Sequence, residues 1–130
     1  MFDAILENEN QMTTKDIADR LVASCRKGDF DKAQTELFSN DAVSIESESS
    51  PDFAMETKGL KAIREKGAKW NSMVKELKSV SVSEPILSPH AFACTMKMNV
   101  TMKDRGPTDM TELCVYEVKD GKIVSEHFYS

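Results

Sequence analysis

The chain has 130 residues, of which 40% are hydrophobic and 30% are charged, and its formal net charge at pH 7 is −5. This length and composition suit one compact domain, which we expect to span residues 1–130 with residues 1–12 as an N-terminal extension. The acidic balance and the dispersed Lys and Arg argue against a nucleic-acid partner, because binding to phosphates depends on clustered basic side chains.

The first twelve residues, MFDAILENENQM, contain neither the basic leader nor the apolar run of a signal peptide. No later stretch approaches the roughly 20 apolar residues of a membrane span. The sequence therefore predicts a cytoplasmic protein without a membrane partner.

Three cysteines, Cys25, Cys94 and Cys114, stand at wide spacings without a motif, which predicts buried free thiols rather than disulfides. The two histidines, His90 and His127, are the other side chains that commonly bind zinc, and they are not spaced as the paired ligands of a metal site. We therefore predict no metal and no cofactor.

The first helix is predicted to begin near Thr13 and Thr14, where a hydroxyl can cap the free amides, and to end at Gly28. Asp29 can cap a second, shorter helix that stops at the segment SND. A third helix is predicted over GLKAIREKGAKWNSMVKEL. Its apolar face would carry Leu60, Ile63, Trp70, Met73 or Val74, and Leu77.

Strands account for most of the remainder. The segment AVSIES alternates as a half-exposed strand does, and ESESSPD is polar enough for a loop. VSVSEPILS, HAFACTMKMNVTMK and two runs around KDG follow, with DRGPT as a turn. Helices first and antiparallel strands after them predict an α+β domain, in which the helices cover one side of a curved sheet.

The order of three segments resembles the nuclear transport factor 2-like superfamily, in particular its SnoaL-like (polyketide cyclase-like) and ketosteroid isomerase-like branches. The segments are RKGDFDKAQTELFSNDAVSIE, KGLKAIREK and VYEVKDGKIVSEHFY, and the resemblance spans about residues 14–130. It implies a cone-shaped fold, with the N-terminal helices on the concave face of a mixed, mostly antiparallel sheet. It also implies an apolar pocket and dimerisation through the opposite sheet face.

The resemblance implies a catalytic base at the end of the first strand, where this chain has Glu46. The residues at the places of the two oxyanion donors are Leu21 and Cys114, and neither is an adequate donor. Steroid isomerisation in that form is therefore rejected, while another proton transfer stays open. Glu46 also has a simpler interpretation, as a solvated glutamate beside a polar loop.

The facing of two further acids depends on the turn at residues 120–121, an Asp-Gly pair. A two-residue turn would pair Lys119 with Lys122 and place Glu126 on the face opposite Glu112. A three-residue loop that takes in Lys119 would place both acids on one face. We choose the longer loop for two reasons. The shorter loop sets two lysines opposite each other, and the hairpins of the family that the sequence resembles suggest the longer loop.

The longer loop assigns each hairpin residue to a face. The inner face would carry Glu112, Cys114, Tyr116, Val124, Glu126 and Phe128. The outer face would carry Leu113, Val115, Ile123, Ser125, His127 and Tyr129. Glu112 then lies among apolar neighbours, where a charge needs a partner or a ligand, although an edge position or a salt bridge to Lys97 or Lys103 would explain it equally well.

The candidate acid–base residues are thus Glu46, Glu112 and Glu126. The candidate ligand-binding residues are Trp70, Met73, Phe92, Cys94, Met96, Met98, Met102, Cys114, Tyr116 and Phe128. Such a lining suits a small apolar or planar molecule, but a methionine and aromatic stripe is more often ordinary core. The favoured function is a pocket protein with cofactor-free acid–base chemistry; the alternative is a non-enzymatic homodimeric interaction or ligand-sensing module.

Overall fold

The computed structural model describes residues 11–130, so most of the expected N-terminal extension lies outside the described residues. The helices are α1 (Thr14–Arg26), α2 (Phe30–Leu37) and α3 (Leu60–Met73). The strands are β1 (Phe38–Ile45), β2 (Glu56–Lys58), β3 (Val74–Val82), β4 (Ile86–Leu87), β5 (Ala91–Met102), β6 (Gly106–Lys119) and β7 (Lys122–Tyr129).

The starts of α1 and α2 agree with the sequence prediction. Thr13 caps α1 by accepting a hydrogen bond from the amide of Asp16, whose side chain in turn accepts from the amide of Thr13. Asp29 caps α2 by accepting from the amide of Lys32. Local side-chain chemistry is therefore enough to fix both starts.

The predicted length of the third helix is wrong, because α3 ends at Met73 and β3 begins at Val74. β3 pairs with β5 through two register shifts, and these bulges bring Val74, Leu77 and Val80 to the same side at three-residue intervals. A strand with this spacing imitates the helical period. Pairing with the long strand β5 decides the conformation.

The strands form one sheet in the order β2-β1-β7-β6-β5-β3, with β4 paired to β5. β1 and β7 run parallel, and the other pairs are antiparallel. The helices lie on one face of the curved sheet, and the apolar stripe of β5 packs beneath them as core. The predicted α+β class and mixed, mostly antiparallel sheet are confirmed.

The predicted three-residue loop between β6 and β7 is wrong. Lys119 pairs with Lys122 across a two-residue turn, in which Asp120 and Gly121 have φ values of 52° and 74°. This is the left-handed pair that a type I′ hairpin requires, and its twist matches that of the strands. The fit of the turn outweighs the repulsion between two exposed lysines.

A β-bulge in β7 then returns Glu126 to the inner face, from which the two-residue turn alone would have removed it. Val118 pairs with Ile123 and Glu117 with Ser125, so Val124 is an extra residue in β7. Beyond it Glu126 pairs with Tyr116, on the inner face. Ile123, predicted to be on the outer face, is instead fully buried in the core because it precedes the bulge.

We expect Gly121→Ala to lower the free energy of unfolding by about 1–2 kcal/mol, because a side chain is strained at positive φ. Gly67→Ala is the matched control. Gly67 lies inside α3, where an added methyl group would make only an ordinary contact with Gln34 Oε1 at 3.9 Å, so alanine there should raise stability by about 0.5–1 kcal/mol. Urea denaturation measures both changes, and equal effects of the two substitutions would contradict the assignment of the turn.

Candidate acid–base site

The centre of the candidate site is formed by two polar residues on neighbouring parallel strands. Ser44 of β1 is the register partner of Glu126 of β7. Ser44 is fully buried and Glu126 is 5% exposed, so both are polar side chains enclosed by an apolar core. A carboxylate and a hydroxyl at this depth need polar partners.

Lys66 of α3 supplies the cation of the site. Its Nζ donates to Ser44 Oγ at 2.7 Å and to Glu46 Oε2 at 2.9 Å. The ion pair with Glu46 is largely screened from solvent, since the two side chains are 16% and 27% exposed. The ammonium also lies 5.9 Å from the centre of the Phe128 ring, within range of a cation–π contact.

Burial raises the pKa of the Glu126 carboxyl from an ordinary 4.5 to about 7. The hydroxyl of Ser44, the register partner of Glu126, and the charge of Lys66 oppose the effect of burial, while the charges of Glu46 and Glu112 add to it. Glu126 therefore changes its protonation state near neutral pH, as a general acid or base must.

Glu112 is the third acid of the cluster. Burial raises the pKa of its carboxyl, and the charge of Glu46 raises it further, while Lys66 lowers it. Its register partner is Met96 of β5, so neither Lys97 nor Lys103 is its partner in a salt bridge. We call Ser44, Glu46, Lys66, Glu112 and Glu126 the acid cluster.

Most of the predicted ligand-binding side chains belong to the buried core. Seven are at most 9% exposed and belong to the packed core: Phe92, Cys94, Met96, Met98, Met102, Cys114 and Tyr116. Trp70, Met73 and Phe128 are partly buried against that core. The stripe on β5 is thus core packing in this structure, and ligand contact by these ten residues stays a prediction.

The cysteines are free and buried, as predicted. Burial raises the pKa of the Cys25 thiol to about 12, so the reactive thiolate is not accessible at neutral pH. The Cys25 thiol therefore acts as a small apolar side chain. Cys94 and Cys114 are register partners on the inner face.

Sequence reasoning missed Ser44 and Lys66. The alternation of AVSIES predicts Val43 and Ile45 on the more buried face, whereas both are only half-buried and Ser44 is fully buried. Lys66 is three residues after the buried Ile63 and four before Trp70, so it interrupts the apolar stripe of α3. A lysine in that stripe is the signal that would have found it.

Two surface depressions border α3. The larger, of about 620 Å³, is lined mostly by charged side chains such as Asp31, Lys61 and Arg64, and no member of the acid cluster reaches it. The smaller, of about 270 Å³, is lined by Phe53, Thr57, Lys66 and Lys69 among others. The smaller one is the relevant depression, because Lys66 connects it to Ser44 and Glu46.

Within residues 11–130, no group of three or more His, Cys, Asp or Glu side chains is arranged to hold a metal ion. The carboxylates of the acid cluster therefore do not converge on one point as metal ligands do. The same part of the chain has no helix of the length and apolarity that a membrane span needs.

Residues 12–130 match the family model described as the SnoaL-like domain. A protein from Mesorhizobium loti described as a SnoaL-like polyketide cyclase is 32% identical, over 92% of this chain and all of that one, with a TM-score of 0.85. An NTF2-like protein of unknown function from Burkholderia pseudomallei has 11% identity, 91% coverage of both chains and a TM-score of 0.71.

A third solved structure is a protein with a ketosteroid isomerase-like fold from Catenulispora acidiphila, in complex with trimethylamine. It has 15% identity, covers 92% of this chain and 87% of its own, and has a TM-score of 0.66. A comparison with proteins of curated function finds no match. The two more distant structures share the fold, and the sequence resemblance to this superfamily is confirmed.

We expect the free energy of unfolding to fall as the pH rises from about 4.5 to about 7, because over that interval the folded state keeps the Glu126 proton that the unfolded chain has lost. The gap between the two pKa values corresponds to a loss of about 3 kcal/mol. Glu126→Gln should remove most of this slope.

The matched control for Glu126→Gln is Glu117→Gln, an exposed glutamate of the same hairpin, which should leave the slope in place. Urea denaturation across the pH range measures the slope, and the NMR shift of the Glu126 side-chain carboxyl carbon measures its titration. A Glu126 midpoint near pH 4.5 would contradict the expected burial of the charge.

Proposed function

The chain belongs to the SnoaL-like domain family, and we propose that it binds a small planar carbonyl compound at the acid cluster and moves a proton on it without a cofactor. The observation that carries the proposal is the burial of Glu126, with its pKa of about 7, beside the cation of Lys66. A base whose pKa is near the working pH and a donor beside it are what enolisation needs.

In the proposed reaction, Glu126 takes the proton from the carbon next to the carbonyl group. The electron pair of that C–H bond moves into the carbon framework and onto the carbonyl oxygen, which becomes an enolate. Lys66 stabilises the developing negative charge, a role that neither Leu21 nor Cys114 can fill. Glu126 then returns the proton to the original carbon or to a conjugated one, so no other reactant is consumed.

Lys66 has a donor available for this role. An ammonium carries three N–H groups, and within residues 11–130 the acceptors of Lys66 are Ser44 and Glu46. Its third N–H can serve the oxygen of a ligand. Because Lys66 also lines the smaller depression, a ligand entering there meets this donor first.

The size and lining of the depression support a small ligand. Its volume of about 270 Å³ is below the roughly 300–1,000 Å³ of sites for drug-sized molecules, which suits a compound of one or two rings. Phe53 offers an aromatic surface at the depression, and the half-buried Trp70 and Phe128 lie at the edge of the core. The flexible methionines beneath them can adjust to such a ligand.

We expect the protein to speed the replacement of the α-hydrogens of 2-tetralone, a two-ring ketone, by deuterium in D2O. The rate should rise with a midpoint near pH 7, as Glu126 loses its proton. Glu126→Gln should lower the catalysed rate by about 10²-fold or more, and Lys66→Met by about 10²-fold. Proton NMR of the ketone measures the exchange.

The control for the exchange experiment is again Glu117→Gln, which keeps the acid cluster intact and should exchange at the rate of the unaltered protein. If Glu126→Gln exchanged 2-tetralone as fast as the unaltered protein, Glu126 would not be the base. If the unaltered protein exchanged the hydrogens of 2-tetralone no faster than buffer alone, proton transfer on two-ring ketones would be excluded.

The outer face of the sheet supports a second proposal, a homodimer formed through that face. Leu113 and Tyr129 are register partners there, and they are 41% and 46% exposed. His127 extends the patch by stacking on Tyr129 at 4.2 Å between ring centres. The burial of Ile123 removes one predicted member, so the patch is smaller than the sequence indicated.

We expect sedimentation velocity at micromolar concentration to give a dimer for the unaltered chain and a monomer for Leu113→Lys, because a charge replaces an apolar contact at the centre of the patch. Leu87→Lys is the matched control, since Leu87 is equally exposed, at 42%, but lies on β4. A monomeric unaltered chain would contradict the proposed interface.

A further inference from the structure

The Ser44 hydroxyl lies between the cation and the buried acid of the cluster. It accepts a hydrogen bond of 2.7 Å from Lys66 Nζ, and Ser44 is the register partner of Glu126 on the neighbouring strand. A hydroxyl that accepts on one side still has its own proton to donate. Because Ser44 is fully buried, water does not compete for that proton.

We infer that Ser44 is a positioning residue: the ammonium of Lys66 orients the Ser44 hydroxyl so that its proton is donated to the carboxylate of Glu126. This contact favours the ionised carboxylate, which is the form that accepts a proton from a substrate. The inference deepens the proposed function, and it rests on that function for the use of Glu126 as a base.

Few of the groups around Glu126 favour its ionised form. The titratable groups that face it from the packed elements are Cys25 of α1, Glu46 at the end of β1, Lys66 of α3, and Glu112 and Tyr116 of β6. The two acids and burial favour the protonated form. Ser44 and Lys66 favour the ionised form, with Ser44 the larger of the two influences.

Lys66 acts on Glu126 directly through its charge, and its hydrogen bond to Ser44 opens a second path through the hydroxyl. Lys66 is held by Ser44 and Glu46, and within residues 11–130 its Nζ makes no hydrogen bond to Glu126. Part of the influence of Lys66 on Glu126 should therefore pass through the orientation of Ser44. Charge acting directly would need no hydroxyl.

A double-mutant cycle on the Glu126 titration tests the inference. The NMR shift of the Glu126 carboxyl carbon is followed with pH, without any ligand, in the unaltered protein, Ser44→Ala, Lys66→Met and the double variant. Ser44→Ala should raise the midpoint by about one pH unit. Lys66→Met should raise it in the unaltered background and much less in the Ser44→Ala background.

Additive shifts would overturn the inference, because Lys66 would then act by its charge alone. An unchanged midpoint in Ser44→Ala would overturn it as well. Ser44→Thr keeps the hydroxyl and should keep the midpoint near that of the unaltered protein. Should Ser44→Ala fail to fold, Ser44→Cys has a weakly donating thiol of similar size and carries the same comparison.

The control Ser81→Ala, at an exposed serine of β3, should leave the midpoint unchanged. The titration needs no substrate, so its outcome is independent of catalysis. Non-additive shifts in a protein that fails to exchange 2-tetralone would contradict the proposed function and leave the positioning role of Ser44 in place. Additive shifts in a protein that exchanges 2-tetralone would contradict the positioning role of Ser44 and leave the proposed function in place.

Discussion

The Glu126 carboxyl is enclosed by an apolar core, and the polar groups of three other elements are arranged around it. Burial of an ionised carboxylate costs several kcal/mol unless partners compensate, so the group either gains partners or keeps its proton. Here both occur: Ser44 and Lys66 support the charge, and the remaining cost raises the pKa to about 7. The positions of α3 and β1 relative to β7 are what bring these partners within reach.

The parts of the fold with local causes could be predicted from the sequence. Thr13 and Asp29 fix the starts of α1 and α2 through hydrogen bonds to amides three residues away. The stripe of Phe92, Cys94, Met96, Met98 and Met102 on β5 was visible in the sequence, and all five side chains are buried. The boundary between α3 and β3 could not be predicted, because bulges in β3 give a strand the spacing of a helix, and only pairing with β5 decides between the two.

The facing of Glu126 was predicted correctly from an incorrect turn. Both loop lengths that the sequence allows imply regular pairing beyond the turn. The structure combines the shorter turn with an extra residue at Val124, and the two departures from the prediction cancel beyond the bulge. They do not cancel before it, which is why Ile123 faces the core rather than the outer surface. Ser44 and Lys66 escaped prediction because each is polar in a place that pattern reasoning assigns to apolar side chains.

The strand order has a consequence for how the protein is made. β7, near the end of the chain, lies between β1 and β6 and joins them into one sheet. Ser44 and Glu126 are far apart in sequence, so the cluster forms by one of the most non-local pairings in the fold, of a kind that closes slowly. A growing chain can form the caps of α1 and α2 early, but it has no acid cluster until β7 has been synthesised and inserted. Partly folded chains therefore lack the buried carboxyl, and a pKa of Glu126 raised to about 7 reports a completed sheet.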